Sequence, residues 1–118
     1  MHKYKELTVW RKAVDLAVEM YQIAGELPKE EQYGLTSQIK RCAASVASNI
    51  AEGAGRNTNG EFGHFLGISN GSSCELETQL IIANKLGYIK DEVLDSAVKK
   101  INEVQNMTFK LQQTIKNN

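Results

Sequence analysis

Few side chains in this chain of 118 residues combine the types and spacing that catalysis requires. Glu75 and Glu77 come closest to a carboxylate pair for acid–base chemistry, but residues two apart on a helix point to different faces. Cys42 and Cys74 lack the CxxC or Cys/His spacing of a metal or redox centre, so we expect two free thiols. The two histidines are isolated, and no Walker or Rossmann glycine pattern occurs. The sequence therefore predicts no catalytic, cofactor-binding or metal site, and a protein that is not an enzyme.

Two rows of polar side chains, each at helical spacing, mark a different kind of candidate site. The first row begins in the segment from residue 35 to residue 52 and comprises Arg41, Ser45, Asn49, Glu52 and Arg56. The second row follows the next long segment and comprises His64, Gly71, Ser72, Glu75 and Gln79. Paired polar groups suit a seam between subunits, where they fix register; a ligand pocket is the alternative. We predict a subunit interface formed by Arg41, Asn49, Glu52, Arg56, Gly71, Ser72 and Glu75.

A cluster of cations near the N terminus is the candidate nucleic-acid contact. It consists of Lys3, Lys5, Arg11 and Lys12, with Tyr4 between them for base stacking. The alternative is an ordinary solvated helix start. Cyclic symmetry would repeat the cluster around a ring and build a continuous basic surface.

The overall charge argues in the opposite direction. Lys plus Arg number 14 and Asp plus Glu number 14, so the formal net charge is zero, and the sequence pI is about 6.7. Dedicated nucleic-acid binders usually carry a basic excess. The balance counts against strong nonspecific binding by an isolated chain, and it favours a scaffold or adaptor with no nucleic-acid role as the alternative function.

Composition and hydrophobic periodicity predict an all-α protein with one domain spanning residues 1–118. A single proline and the absence of alternating apolar runs leave little room for strands. No stretch is apolar and long enough for a signal peptide or a membrane span, so we expect a cytoplasmic protein without membrane contact.

Periodicity and capping signals place four helices, at residues 8–26, 35–52, 59–86 and 91–116. Thr8 is the expected N-cap of the first helix, Thr58 and Glu61 form a capping box before the third, and Gly53 begins the stop of the second. Gly71 lies mid-helix, where it costs ~1 kcal/mol relative to Ala, and it predicts a close approach by another element. The core stripe of the first helix is expected at Trp10, Ala13, Val14, Ala17, Met20, Tyr21 and Ala24. Short connections favour an antiparallel, up-down-up-down four-helix bundle.

The order of several short motifs is specific enough to indicate a family. These are Leu7-Thr8-Val9-Trp10, Asn49-Ile50-Ala51-Glu52-Gly53, Gly71-Ser72 and Leu86-Gly87-Tyr88. The chain resembles the bacterial four helix bundle protein family, which includes proteins encoded by intervening sequences in 23S ribosomal RNA genes. A related branch is the accessory protein of diversity-generating retroelements.

The resemblance implies an antiparallel four-helix bundle that assembles into a homopentameric ring. From the retroelement branch it implies binding of RNA or DNA, or recruitment of a nucleic-acid enzyme such as a reverse transcriptase. Asn70 departs from the family pattern, because members often carry Lys or Arg just before the Gly-Ser pair. With the neutral net charge, this departure argues against the strongly basic surface of the retroelement branch.

Overall fold

The computed structural model describes residues 2–116, which form four α-helices and, in that range, no β-strand. The helices are α1 (Thr8–Ala24), α2 (Leu35–Ala54), α3 (Asn59–Lys85) and α4 (Asp91–Lys116). Single 3-10 turns lie at Tyr4–Glu6 and Lys29–Glu31. The predicted all-α class and the four helices are confirmed, and every predicted helix end lies within two residues of the observed one.

Helices that are consecutive in the chain pack side by side, and α2 and α3 form the closest pair. The last helix, α4, also packs against the first, α1, and this is the least extensive of the contacts between helices. Two ion pairs cross that junction, Lys12 Nζ to Glu103 Oε1 at 2.5 Å and Lys100 Nζ to Glu19 Oε1 at 2.6 Å. All four side chains are substantially exposed, so each pair contributes at most about 1 kcal/mol to stability.

The buried side of α1 is rotated from the predicted one. Val9 and Leu16, which the sequence analysis left out of the stripe, are buried in the core. Tyr21, which the prediction placed in the core, is 45% exposed. Ala13, Met20 and Ala24 of the predicted stripe are buried as expected, and the rest was wrong because the stripe was centred on the edge of α1 that lies beside α2. That edge is itself rich in apolar residues, and two of them, Val14 and Ala17, are only partly buried.

The helices α2 and α3 approach each other closely at Gly53, a buried residue in the last turn of α2. A Cβ atom added to Gly53 would lie 2.8 Å from Phe65 Cβ, 3.0 Å from Phe62 Cδ1 and 3.1 Å from the Phe62 carbonyl oxygen. In the same interface the Ser69 hydroxyl donates to the Val46 carbonyl oxygen at 2.8 Å. The predicted stop at residues 53–55 is confirmed, because α2 ends at Ala54 with Gly55 as its C-cap. The sequence did not show that Gly53 also serves helix packing.

Of the two capping predictions, the one at α1 was wrong and the one at α3 is confirmed for its threonine half. Leu7, with extended backbone, is the N-cap of α1, and Thr8 is already the first helical residue. The Thr58 hydroxyl does cap α3 by accepting from the Glu61 amide at 3.1 Å. That hydroxyl also donates to the Glu61 carboxylate at 3.1 Å, so the two side chains of the predicted box are joined directly.

A shared carboxylate ties the two connections at one end of the bundle together. Glu31, in the α1–α2 connection, accepts a hydrogen bond from the Leu35 amide at the start of α2 through Oε1 at 3.1 Å. Its other oxygen accepts from the Tyr88 hydroxyl, in the α3–α4 connection, at 3.1 Å. Since the first and third connections meet at one end, the helices run in the predicted up-down order.

This contact makes a prediction about the ionisation of Tyr88. Its hydrogen bond to Glu31 raises the pKa of the Tyr88 phenol above its usual value, and burial and the Glu31 charge add to the effect. A raised pKa means that the contact stabilises the fold fully below the usual tyrosine pKa, and that this contribution disappears as pH rises through the folded-state value. A spectrophotometric titration measures the absorbance of ionised tyrosine, and the part of it that Tyr88→Phe removes belongs to Tyr88. The midpoint of that part should lie at higher pH in the wild type than in Glu31→Gln. Equal midpoints in the two proteins would contradict it.

Candidate functional site

The centre of the α2–α3 seam is a small network of neutral polar groups. The Ser45 and Ser72 hydroxyls lie 2.9 Å apart and link the two helices. The Asn49 amide nitrogen donates to both the Ser45 carbonyl and the Ser45 hydroxyl oxygen, each at 2.9 Å. The structure therefore brings three residues of the two polar rows together within one chain, where their side chains are hydrogen-bonded to one another.

Cys42 lies in the same seam, on the side of α2 that faces Glu75 and Gln79. The Gln79 amide donates to Cys42 Sγ at 3.5 Å, and the thiol is 3.7 Å from Glu75 Oε2. Burial raises the pKa of the Cys42 thiol; the Gln79 hydrogen bond opposes this, while the Glu75 charge adds to it. The thiolate is the nucleophilic form of cysteine, so a raised pKa leaves Cys42 inert at neutral pH. Glu77, the other member of the carboxylate pair, is partly buried, whereas Glu75 is exposed.

Arg56 joins the end of α2 to the start of α3. Its guanidinium forms ion pairs with Glu52 at 3.2 Å and Glu61 at 3.7 Å. It also lies over the Phe65 ring, 4.7 Å from the ring centroid. Two of the predicted interface residues, Glu52 and Arg56, are therefore paired with each other inside one chain, and their remaining surface is exposed.

Arg41 and Gly71 complete the predicted set, and both are exposed on the outer side of the seam. A Cβ atom added to Gly71 would have no neighbour within 4 Å. The close approach predicted at Gly71 is thus not made by the described part of its own chain. A mid-helix glycine in open space is unfavourable for the helix and leaves room for an external group.

The N-terminal cations separate into two groups. Lys3, Lys5 and Arg11 are exposed, and the Arg11 guanidinium donates to the Lys5 carbonyl at 3.3 Å, which keeps them close together. Lys12 instead points to α4, where it is paired with Glu103. The predicted patch therefore retains three cations that form no ion pair within residues 2–116, and its fourth member is committed to an intramolecular contact.

The backbone next to these cations is anchored to the bundle. The His2 amide donates to the Ala54 carbonyl at 2.7 Å, and the His2 ring lies 4.8 Å from the ring of Phe62. The Tyr4 ring packs edge-on against Trp10 at 5.1 Å, so it is only partly available for the base stacking considered above. The N-terminal cations are consequently held on a segment that is packed against the bundle.

Sequence reasoning missed a set of exposed apolar side chains on α1 and α3. Val18 is 54% exposed and Tyr21 45% on α1, while Ile68 is 39% and Ile82 44% on α3. The signal was present for Val18, which lies off the predicted core stripe of the first helix. Contiguous exposed apolar side chains commonly mark an interaction surface.

The described residues contain neither a metal-binding cluster nor a membrane-spanning helix. Across residues 2–116, no three His, Cys, Asp or Glu side chains are grouped closely enough to hold a metal ion. In the same range no helix has the length and apolar character needed to cross a membrane.

Comparison with known proteins gives similarity in both sequence and structure. Residues 5–110 match the family model described as 23S rRNA-intervening sequence protein. The fold is similar to a crystal structure from Bacteroides thetaiotaomicron VPI-5482, described as a protein with unknown function from the S23 ribosomal protein family. That alignment has a TM-score of 0.83 at 23% sequence identity and covers 89% of this chain and 95% of the other. No curated protein matches the sequence.

Proposed function

The chain belongs to the 23S rRNA-intervening sequence protein family, and we propose that it works as a non-catalytic protein that associates with copies of itself, in a pentameric ring. One observation carries this proposal: the outer side of α2 is lined by small residues and is bordered by exposed apolar side chains on both neighbouring helices. Val18 and Tyr21 border it on α1, and Ile68 and Ile82 border it on α3. The homopentamer and the ring are what the family resemblance adds.

The residues of the α2 surface explain why it suits a second subunit better than solvent. Ala44, Ser45, Ser48 and Ala51 face away from the core, so another helix can come close to the backbone of α2. Gly71 offers a similar approach on α3. The polar seam between the helices would then supply register, as paired polar groups do at buried interfaces.

The chemistry of the seam supports a binding role over catalysis. Among the described residues its one thiol, Cys42, has a raised pKa, and the Ser45, Ser72 and Asn49 side chains are hydrogen-bonded to one another. A catalytic site needs a nucleophile next to a base, with free space for substrate beside them. In the described residues of the seam, the one thiol beside a carboxylate is Cys42, 3.7 Å from Glu75, and the raised pKa of that thiol favours its protonated, non-nucleophilic form.

A glycine substitution tests self-association without disturbing the chain itself. Gly71→Gln places a long polar side chain where the isolated subunit has open space, so the helix should remain folded. If the α2–α3 surface is the interface, native mass spectrometry should show the pentamer of the wild type replaced by monomer. Gly63→Gln is the matched control, because Gly63 also has open space but lies on the α4 side of α3, where its carbonyl accepts from Gln112. A wild-type monomer, or a Gly71→Gln pentamer, would refute the proposal.

Nucleic-acid binding is the second candidate function, and the grouping of Lys3, Lys5 and Arg11 favours it. In a ring, symmetry would repeat these three exposed cations around one rim and offset the zero net charge of the chain locally. Phosphate contacts release counterions, so binding through this patch must weaken as salt rises. The same rim would also serve to recruit a nucleic-acid enzyme already bound to its template.

Charge reversal distinguishes RNA or DNA binding from a scaffold role. The combined variant Lys3→Glu, Lys5→Glu, Arg11→Glu should abolish binding to poly(U) or single-stranded DNA, since each lost contact removes about 0.7 from the salt slope. The control variant Lys29→Glu, Lys85→Glu, Lys90→Glu makes the same change in net charge at the opposite end of the bundle and should bind normally. Equal losses in both variants would show a nonspecific charge effect. A wild-type ring that binds neither polymer would favour the scaffold.

A further inference from the structure

An apolar groove runs between the outer sides of α1 and α2. Its volume is about 500 Å³, and its apolar lining consists of Val14, Ala17, Val18, Tyr21, Ala44 and Ala47. The floor is made of alanines, and Val18 and Tyr21 form the raised edge. Ridges of side chains on one helix pack into grooves on another, and a floor of small residues allows the closest approach. The groove therefore has the shape and chemistry of a helix acceptor.

A ridge on α3 has the complementary shape. Ile68, Gly71, Glu75 and Ile82 lie on one face of the helix, because their spacings of three, four and seven residues return to the same side. That face points away from the core side, which carries Leu66 and Leu80. The two isoleucines project from it, and Gly71 lies between them with open space around it.

The α1–α2 groove and the α3 ridge each carry a charged side chain, and the two charges are opposite in sign. Lys40 lies at the edge of the groove, with its ammonium 5.5 Å from the centroid of the Tyr21 ring. Glu75 stands in the middle of the ridge and is exposed. Within residues 2–116 neither side chain takes part in an ion pair. A groove with a basic edge and a ridge with an acidic centre are complementary in charge as well as in shape.

We propose that the α1–α2 groove of one copy receives the α3 ridge of the next copy. The proposal rests on the self-association proposed above and specifies which surfaces meet. The groove and the ridge are different surfaces of the same chain, so a twofold dimer with one self-complementary patch does not use this pairing. Each copy instead donates its ridge to one neighbour and its groove to another, and such a head-to-tail contact closes into a ring when the rotation permits.

Directed cross-linking tests this pairing in the full chain. All variants carry Cys74→Ser, which removes the exposed thiol; Cys42 is buried and stays. Val18→Cys is co-expressed with Ile68→Cys or with Ile82→Cys, and each is also expressed alone and oxidised. A disulfide needs Cα atoms within about 7 Å. We expect at least one co-expressed pair to give roughly tenfold more covalent dimer than the single variants. A chain carrying both substitutions of that pair should give a ladder of covalent oligomers.

A control cysteine pair and the oligomer mass from native mass spectrometry distinguish the possible outcomes. Val18→Cys with Phe109→Cys uses an exposed apolar position on α4, outside the ridge, and should give no covalent dimer above the single variants. Self-linking of Val18→Cys alone, at the level of the best pair, would replace the proposal with a twofold contact. An oligomeric native mass without any groove-to-ridge link would overturn the pairing and leave self-association standing. A monomeric mass would overturn the proposed function itself, and the pairing with it.

Discussion

Phe62→Ala is expected to lower the free energy of unfolding by about 3–5 kcal/mol, the largest loss for any single truncation considered in this protein. Phe62 is 1% exposed at the start of α3, between the backbone of α2 and the ring of His2. Truncation removes the burial of a whole aromatic ring and leaves a cavity between the two helices that pack most closely. Helices already in contact through their backbones have little freedom to collapse into that space.

Phe109→Ala is the control for this substitution. The Phe109 side chain is 55% exposed on α4, so its truncation should change the free energy of unfolding by no more than about 0.5 kcal/mol. Urea unfolding followed by circular dichroism measures both variants. Protein concentration must be held constant, since assembly adds to apparent stability by mass action. Similar losses for the two phenylalanines would contradict the packing of α3 against α2.

Gly53→Ala should destabilise the protein by about 1–3 kcal/mol, although the same change usually stabilises a helix. The added methyl would lie 2.8 Å from the Cβ of Phe65, an atom fixed to the backbone of α3. No rotamer change of Phe65 relieves that contact, so the helices must separate. Even Phe65→Ala would retain the clashing atom.

Gly63→Ala should have the opposite effect on the free energy of unfolding, although the chemical change is the same. Gly63 has no neighbour within 4 Å of its added Cβ, so the variant gains about 0.5–1 kcal/mol from helix propensity alone. The comparison of Gly53→Ala with Gly63→Ala thus isolates interhelical packing from propensity. A stabilised Gly53→Ala protein would show that α2 and α3 are farther apart than described.

The helix boundaries could be predicted from sequence because the signals that set them are local. The Thr58–Glu61 cap and Gly87, the glycine after α3, act within a few residues of the helix ends they define; α3 begins at the predicted residue and ends one residue before the predicted one. The packing role of Gly53 could not be predicted in this way. Whether a glycine ends a helix or admits another helix depends on residues such as Phe62 and Phe65, and only the folded chain shows that they pack there.

The candidate sites were predictable to different degrees for the same reason. Helical spacing was enough to place Ser45 and Asn49 on one face of α2, because period alone decides which face a residue occupies. Their hydrogen bonds with Ser72 inside one chain were not predicted, since the sequence analysis assigned these rows to a contact between subunits. The pairing of Lys12 with Glu103 spans 91 positions in the chain and has no local signal. The groove beside Val18 was missed because three of its lining residues, Val14, Ala17 and Tyr21, were assigned to the core stripe of α1.

The loose junction between α1 and α4 has a consequence for the order in which the protein folds. Contacts between α2 and α3 join segments close in sequence, so forming them costs little loop-closure entropy. The Lys12–Glu103 and Lys100–Glu19 ion pairs join the first helix to the last, across 91 and 81 positions of the sequence. We therefore expect the central hairpin of α2 and α3 to form early and the closure of α1 against α4 to come last. Weakening those ion pairs should then mainly speed unfolding and leave the folding rate nearly unchanged.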